Sequence, residues 1–281
     1  MFGMSLVVAM SLSFVDLGRE PSQAATTPVA DQFLIVPLRI HILKTPDLEL
    51  ADCKLGDADV QRVVGNLNVI WGKAGIIFGI ESIVHEPAAQ PDRFRLLIEL
   101  YEGKIGVSEF QLLLPKQSRV FDGVHAFFFH SLPFNGAYLG EDSAIVQEGA
   151  AVTQVVGGID DSMARVLGHC YGRMFGLRQR NEPATSLLIM GTNGWSLDSG
   201  EIDRARRVAK TIKGVLTVAD ARKAAAAADA ARRAEEAKLL RSWLETIPRP
   251  AGADAKKLRE PARPESKCGA KIDSILVDFL T

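Results

Sequence analysis

The amino-acid sequence predicts an α+β protein in which helices pack on a β-sheet. Residues 32–43 alternate as in a strand, residues 57–75 carry apolar side chains at helical spacing, and residues 76–84 form a second apolar run. Residues 123–132 are rich in aromatic side chains and are typical of a buried strand, and the helical period returns after Asp160. A strand, helix, strand unit near the start of the chain favours a sheet covered by helices.

The composition is that of a folded globular protein without a strong overall charge. The 281 residues are 47% hydrophobic and 24% charged, and 33 basic side chains nearly balance 34 acidic ones. A net charge of -1 creates no global field that would recruit nucleic acid or an anionic membrane. Cys53, Cys170 and Cys268 form no CxxC pair. Two of them could form one disulfide, but buried or unreactive thiols are the expected state.

The first 30 residues, 1–30, have the pattern of a secretory leader. The apolar run MFGMSLVVAMSLSFV is too short to span a bilayer comfortably, and small residues precede Ala25 as at a signal-peptidase site. Against this, no Lys or Arg precedes the run. The prediction is export to the periplasm or the extracellular space, with no stable membrane span. The alternative is a cytoplasmic protein with a disordered or anchoring N-terminus.

The first strand has two distinct faces. Leu38, Ile40 and Ile42 lie on one face, and Arg39 and His41 lie on the other.

The segments after the first strand differ in how clearly they can be assigned. The first helix is expected to have Asp57 as its N-cap and to end at Gly75. Residues 96–100 could form either a strand or a helix. His125 and His130 are five residues apart on the aromatic strand, so they point to opposite faces. This spacing argues against a shared metal site and indicates two ordinary histidines at the ends of a strand.

Two helices in the second half of the chain have N-terminal cap signals. The first can be capped by Asp160, Asp161 or Ser162. Its apolar stripe comprises Met163, Val166, Leu167, Cys170 and Met174. The second begins with Asp198 and Glu201, which are spaced as in a capping box.

The C-terminal region changes composition. Residues 214–247 are predicted to form an Ala-rich helix, residues 248–270 a linker rich in proline and charge, and residues 271–281 an amphipathic helix that docks on another surface. The apolar face of the Ala-rich helix comprises Leu239, Leu240, Trp243, Leu244 and Ile247.

Residues 165–179, RVLGHCYGRMFGLRQ, have the outline of a zinc-protease helix. A HExxHxxGxxH motif places two histidines one helical turn apart, a glutamate general base after the first, and a glycine that turns the chain toward a third histidine. His169 matches the first ligand position, and Gly176 matches the turn glycine.

On this register, and on SLLIMGT with Met190 as the methionine of a Met-turn, the sequence resembles the metzincin-type zinc metallopeptidases, in particular secreted bacterial members. The resemblance implies a zincin catalytic-domain fold over residues 31–213. That fold has a mixed sheet, an active-site helix and a Met-turn, and here a C-terminal helical extension would follow it.

Three of the four chemical positions depart from the family pattern. Cys170 replaces the general base, Arg173 the second zinc ligand and Gln179 the third. A guanidinium has no lone pair and repels a dication, and a glutamine amide is a poor zinc ligand. His169 and Cys170 point about 100° apart on a helix, so they cannot face one metal. No cofactor is therefore expected, and Arg173 is expected to pair with Glu182 or another acid.

The resemblance and the departures together predict a catalytically inactive metallopeptidase-like protein. Its cleft would bind a peptide or protein, or its C-terminal helices would contact a protein partner. The alternative is a zinc metallopeptidase in which His169 acts with His125 or His130 in a nonstandard metal site; the replaced residues favour the inactive protein. A third interpretation is a structural relative whose cleft binds nothing.

Overall fold

The computed structural model describes residues 28, 30–101, 106–155, 157–189 and 194–248 of the chain. The strands are β1 (Leu34–Leu43), β2 (Ile76–Glu86), β3 (Val124–Phe129), β4 (Gly136–Tyr138), β5 (Ser143–Gln147) and β6 (Leu216–Thr217). The helices are α1 (Asp57–Gly72), α2 (Pro91–Tyr101), α3 (Ser162–Met174), α4 (Ser199–Ala209), α5 (Val218–Ala230) and α6 (Ala234–Glu245).

The strands form one mixed sheet in the order β2-β1-β3-β5-β4. Strands β2, β1, β3 and β5 are parallel to their neighbours, whereas β4 runs antiparallel to β5 at the end of the sheet. The short β6 pairs antiparallel with the first residues of β1. The mixed sheet and the helices packed on it, which the sequence predicts, are therefore confirmed.

One face of the sheet packs against α1, α3 and α4. Leu38, Ile40 and Ile42 of β1 point into this core, as the strand pattern predicts. From the neighbouring strand, Ala126 and Phe128 point the same way. The helices contribute Val63, Leu67, Leu167, Tyr171 and Ala205, among others. Alternation along a strand sends the intervening residues of β1 and β3 to the opposite face.

That opposite face carries two separate apolar clusters. One lies beneath α2 and the short helix Val107–Leu113, around Phe127 and Phe129 of β3. The other lies beneath α5 and α6, around Phe33 and Ile35. Between these two clusters, β1 carries polar side chains that are nonetheless covered by protein.

Most of the elements expected from the pattern are confirmed, with one correction, at the start of α1. The N-cap of α1 is Gly56, and Asp57 is the first helical residue instead of the cap. The N-cap of α3 is Asp161, whose side chain accepts a hydrogen bond from Ala164 N. The segment 96–100, which the pattern left open, lies within α2.

The Ala-rich segment forms two helices, so the expectation of a single helix is wrong. The chain reverses after α5 at Arg232, whose φ of 58° lies in the left-handed region, and α6 then packs beside α5. Leu240 and Trp243 bury themselves against the sheet, and Trp243 Nε1 donates to Ile80 O at 2.8 Å. The late apolar face is therefore used to cover the sheet of its own chain.

The leader up to residue 27, the linker and the final amphipathic segment lie outside the described residues, as does Cys268. Across the part of the chain that the structure covers, no helix is both long and apolar enough to cross a membrane.

Candidate functional site

The helix that carries the protease-like motif is firmly anchored at its N-terminus. Asp161 caps it with one carboxylate oxygen and, with the other, accepts hydrogen bonds from Arg62 and from Asn66, the latter at 2.9 Å. Arg62 and Asn66 belong to α1, so this carboxylate ties α1 to α3. The start of α3 is fixed by a cap and by a neighbouring helix at the same time.

His169 lies on α3 with one nitrogen engaged and the other unused. Its Nδ1 is 3.0 Å from Leu187 O, and because a carbonyl only accepts, Nδ1 carries the proton. The second nitrogen, Nε2, makes no hydrogen bond within the residues described and keeps its lone pair. Burial lowers the pKa of His169 and the charge of Arg173 lowers it further, although the bond to Leu187 opposes them. The ring is therefore neutral near pH 7.

Cys170 cannot replace the missing general base. Its side chain is 1% exposed and belongs to the core beneath the sheet. Burial raises the pKa of the Cys170 thiol to about 12, so no thiolate forms near neutral pH. The residue behaves as a small apolar side chain, as its place on the stripe predicts.

Arg173 and Gln179 are both exposed, and the expected ion pair of Arg173 is not found. The guanidinium of Arg173 reaches only Leu177 O, at 3.5 Å, and pairs with no acid among the described residues. The tie between the loop and a helix is made by Arg180. Its Nε lies 2.9 Å from Glu201 Oε1, and its Nη2 lies 2.5 Å from Asp198 Oδ2.

The chain after α3 turns back and packs along the same helix. Gly176 has a φ of 74°, the left-handed conformation expected of a glycine that ends a helix. Gly172 approaches Leu188 so closely that a Cβ atom would lie 2.8 Å from Leu188 Cδ2. The segment before Met190 therefore lies against α3, with Leu187 bonded to His169. Met190 itself lies outside the described residues.

The other histidines do not approach His169 to complete a metal site. His125 projects from β3 toward the sheet face opposite α3, because its neighbours Val124 and Ala126 point into the α3 core. His130 bonds to Glu148. No group of three or more His, Cys, Asp or Glu side chains in the covered ranges could hold a metal ion.

An edge strand lies beside α3. Gly136 of β4 is so close to Val166 of α3 that a Cβ atom on it would lie 2.5 Å from Val166 Cγ1. The bonds Leu139 N to Ser143 O and Gln147 N to Asn135 O show which residues face β5. Alternation in an antiparallel ladder then turns the backbone N–H groups of Gly136 and Tyr138 outward.

A second polar cluster, on the opposite face of the sheet, was missed by sequence reasoning. His41 and His125 are both fully buried, and His41 Nε2 lies 2.9 Å from His125 Nδ1. His41 Nδ1 lies 2.6 Å from Glu86 Oε1. The interpretation of His125 as an ordinary histidine at a strand end is therefore wrong. The available signal was His41 alternating with apolar residues on a strand that is buried on both faces.

The overall architecture is thus a mixed sheet flanked by helices, with one partly buried histidine on α3. No protein-family model matches the sequence, and no curated protein matches it. Among solved structures, the chain is similar to metalloproteinase-II from Bacteroides fragilis, with 10% identity and a TM-score of 0.35. The match covers 62% of this chain and 53% of that one, so the chain spans about half the length of that structure.

Proposed function

We propose that this chain is a catalytically inactive, metzincin-like protein that binds an extended peptide or protein segment along the outer edge of β4, beside α3. The observation that carries the proposal is the surroundings of His169. Its Nε2 forms no hydrogen bond with any described residue, but the helical position one turn later holds the exposed cation Arg173. A guanidinium beside a lone imidazole repels a dication, and one imidazole alone holds zinc weakly.

Features of the chain near α3 support the metzincin-like assignment. The helix is followed by a glycine with positive φ, and the segment leading to Met190 folds back beneath the helix. The sheet ends in a short antiparallel strand beside the helix. A Met-turn at Met190 and the domain limits 31–213 are part of this proposal.

The edge of β4 supports peptide binding by strand addition. No described strand pairs with its outer edge, and the N–H groups of Gly136 and Tyr138 face outward. An extended peptide can satisfy such groups by forming a further strand. The main-chain bonds would provide affinity, and the surface of α3 would contact alternate side chains of the peptide.

Binding can be tested with fluorescein-labelled casein peptides and fluorescence anisotropy. Tyr138→Pro removes an outward N–H without removing a ladder bond, so we expect binding to weaken about tenfold. Tyr138→Ala is the matched control, because it removes the same ring and its bond to Glu141 O but keeps the N–H. Equal affinities of the two variants, or no binding by the unchanged protein, would refute strand addition.

The enzymatic alternative retains one supporting observation. A histidine that donates Nδ1–H to a carbonyl and leaves Nε2 free has the orientation of a metal ligand. The described residues do not otherwise fit zinc, because among them His169 belongs to no group of three or more His, Cys, Asp or Glu side chains that could hold a metal ion. Metal analysis of protein purified with zinc present would decide between the two: stoichiometric zinc, with casein cleavage that chelators abolish, would favour the enzyme.

Two further parts of the proposal rest on sequence outside the described residues. Export to the periplasm or the extracellular space rests on the leader-like residues 1–30. A protein partner for the C-terminal region would have to engage residues after 248, because α6 already uses its apolar face on the sheet. Capture of the same partner by a chain truncated at residue 248 would refute that assignment.

A further inference from the structure

A string of four ionisable side chains crosses the sheet on the face away from α3. It runs from Glu86 on β2 to His41 on β1, then to His125 on β3 and to Asp142, which directly precedes β5. The first contact is 2.6 Å, from Glu86 Oε1 to His41 Nδ1, and the second is 2.9 Å, from His41 Nε2 to His125 Nδ1. The third pair of atoms is too far apart for a hydrogen bond, because His125 Nε2 lies 3.9 Å from Asp142 Oδ2.

When both histidines are neutral, one ring nitrogen in this string has neither a proton nor a hydrogen-bond partner. Glu86 Oε1 accepts from Ser118 Oγ at 2.7 Å, and it also accepts from His41, so His41 carries its proton on Nδ1. His41 Nε2 must then accept, and His125 supplies the donor from its own Nδ1. In a neutral His125 the buried Nε2 is left as a bare lone pair, without a hydrogen-bond partner and facing a carboxylate.

Charged groups from every neighbouring element surround the pair. Arg39 of β1 forms a bidentate pair with Glu81 of β2, at 2.8 and 3.0 Å. Arg119, in the segment before β3, reaches both Asp142 and Glu141 at 3.2 Å. The rings of Phe127 and Phe121 complete the enclosure: Phe127 stacks on His41, and Phe121 meets His125 edge-on.

We propose that the string Glu86–His41–His125–Asp142 is a binding site for a single proton, which enters at His125 Nε2 on acidification and joins that nitrogen to Asp142. One added proton gives every nitrogen and carboxylate of the string a partner. The Glu86–His41 and His41–His125 contacts each hold a proton already, so the added proton goes to the unpaired nitrogen at the end of the string, His125 Nε2.

His125 takes up this proton only in acidic solution. Burial is the largest cause that lowers the pKa of His125 to about 4; the charge of Asp142 opposes it, and His41, Arg119 and Arg39 add to it. Burial also lowers the pKa of His41, to about 3.

Uptake would change the contacts of the turn between β4 and β5. Asp142 now bonds to Arg119 and to Ser143 Oγ, and it follows Gly140 and Glu141, which both have positive φ. A bond to His125 would draw this carboxylate toward β3 and loosen its pair with Arg119. The pairing of β5 with β3 would be kept, so only the Asp142 side chain would have to move.

Histidine ring nitrogen shifts, measured by NMR as a function of pH, test the proposal directly. At pH 8 we expect both buried rings to carry their proton on Nδ1. On acidification, while the amide spectrum remains that of the folded protein, we expect His125 Nε2 to gain a proton. If both rings are protonated on Nε2 at pH 8, or if the protein unfolds before any uptake, the proposal is wrong.

Charge variants identify the contact with Asp142. Asp142→Asn should lower the pH of half-uptake by about one unit, since it removes an anion about 4 Å away. The matched control Glu141→Gln removes the adjacent, more exposed anion and should shift that pH by less than about a third of this. If Asp142→Asn does not fold, Arg119→Gln should raise the half-uptake pH instead. An unchanged half-uptake pH in the folded variant would overturn the proposal.

Discussion

His169 and the pair His41–His125 lie on opposite faces of one sheet, and they differ in how many of their ring nitrogens form hydrogen bonds. His169 lies on a helix with one nitrogen bonded to a carbonyl, and the other forms no hydrogen bond within the part of the chain that the structure describes. In the buried pair, three of the four ring nitrogens are engaged, and the remaining one faces a carboxylate. A motif in the sequence marks the first region, whereas the assembly of strands creates the second.

This difference shows that a recognisable motif and a structured polar site need not coincide. Around His169 the neighbouring residues at motif positions are either buried, as Cys170 is, or exposed, as Arg173 is. Around His125 the charged or titratable groups of three separate chain segments converge: Arg39 and His41 on β1, Arg119, and Asp142. Buried ionisable groups are costly unless they are partnered, so their convergence is the stronger structural signal.

The largest expected effect comes from restoring ligands around His169. In the variant with Arg173→His and Gln179→His, three histidines stand in the metzincin register, and zinc affinity should rise at least about a thousandfold. Zinc per protein after dialysis, measured by mass spectrometry, is the readout. The control variant combines Arg173→His with Arg178→His, which places the third histidine one position before the motif position. Equal zinc content in both variants would contradict the proposed register.

The second effect compares the stability contributions of the two regions. His41→Ala removes a ring stacked on Phe127, leaves His125 Nδ1 without a partner and leaves Glu86 bonded to Ser118 alone, so it should cost about 3 kcal/mol. His169→Ala removes one hydrogen bond from a half-buried ring and should cost about 1 kcal/mol. Urea unfolding at pH 7.5 measures both free energies. Equal costs would mean that the buried pair contributes no more to the free energy of unfolding than His169 does.

The third effect is the pH dependence of stability. His41 and His125 have pKa values of about 3 and 4 in the folded chain, below the usual 6.5, so the unfolded chain binds more protons between pH 6.5 and 4. Stability is complete above pH 6.5 and falls as the pH drops toward 4.

Urea unfolding at pH 7 and pH 4.5 tests this dependence. His125→Gln should reduce the loss of stability between these pH values by about 1–2 kcal/mol, because one buried titrating ring is gone. His169→Gln should reduce it less, since the bond to Leu187 partly offsets the lowering of the His169 pKa. The reverse order would show that the dominant titrating histidine lies on α3.

The smallest effect separates the two arginines near the motif. Arg180→Gln breaks the pairs with Asp198 and Glu201 and should cost about 0.5–1 kcal/mol, since Arg180 remains partly exposed. Arg173→Gln should change the free energy of unfolding by less than about 0.5 kcal/mol, because its exposed guanidinium has only one weak carbonyl contact. A larger cost for Arg173→Gln would indicate that Arg173 forms the ion pair with an acidic residue that the sequence predicts.

The local features of the chain were accessible from sequence because they depend on residues close together in it. The capping box of Asp198 and Glu201 forms as predicted. The alternation of β1 places Leu38, Ile40 and Ile42 in one core. By contrast, residues 96–100 could not be assigned by period alone. Phe94 and Leu97 form α2 because that helix covers Phe129, a contact made across the fold.

The polar sites of the protein also include one part that the sequence pattern reveals and one part that it does not. The register from His169 to Gly176 is a local pattern on one helix and the turn that ends it, and the left-handed glycine stands where that pattern expects it. The pair of His41 and His125 joins residues 84 positions apart, so no local period reveals it. Its existence depends on β3 lying next to β1, which is a property of strand order.

By itself, the sequence determined the periods, the caps and the identities of the residues that follow His169, because those properties depend on the identity and spacing of neighbouring residues. Only the tertiary structure decided that the Ala-rich segment folds into two helices over the sheet and that two histidines meet beneath it. Burial and convergence depend on which distant segments pack together, and a polar strand position becomes a buried ionisable site only when other elements cover it.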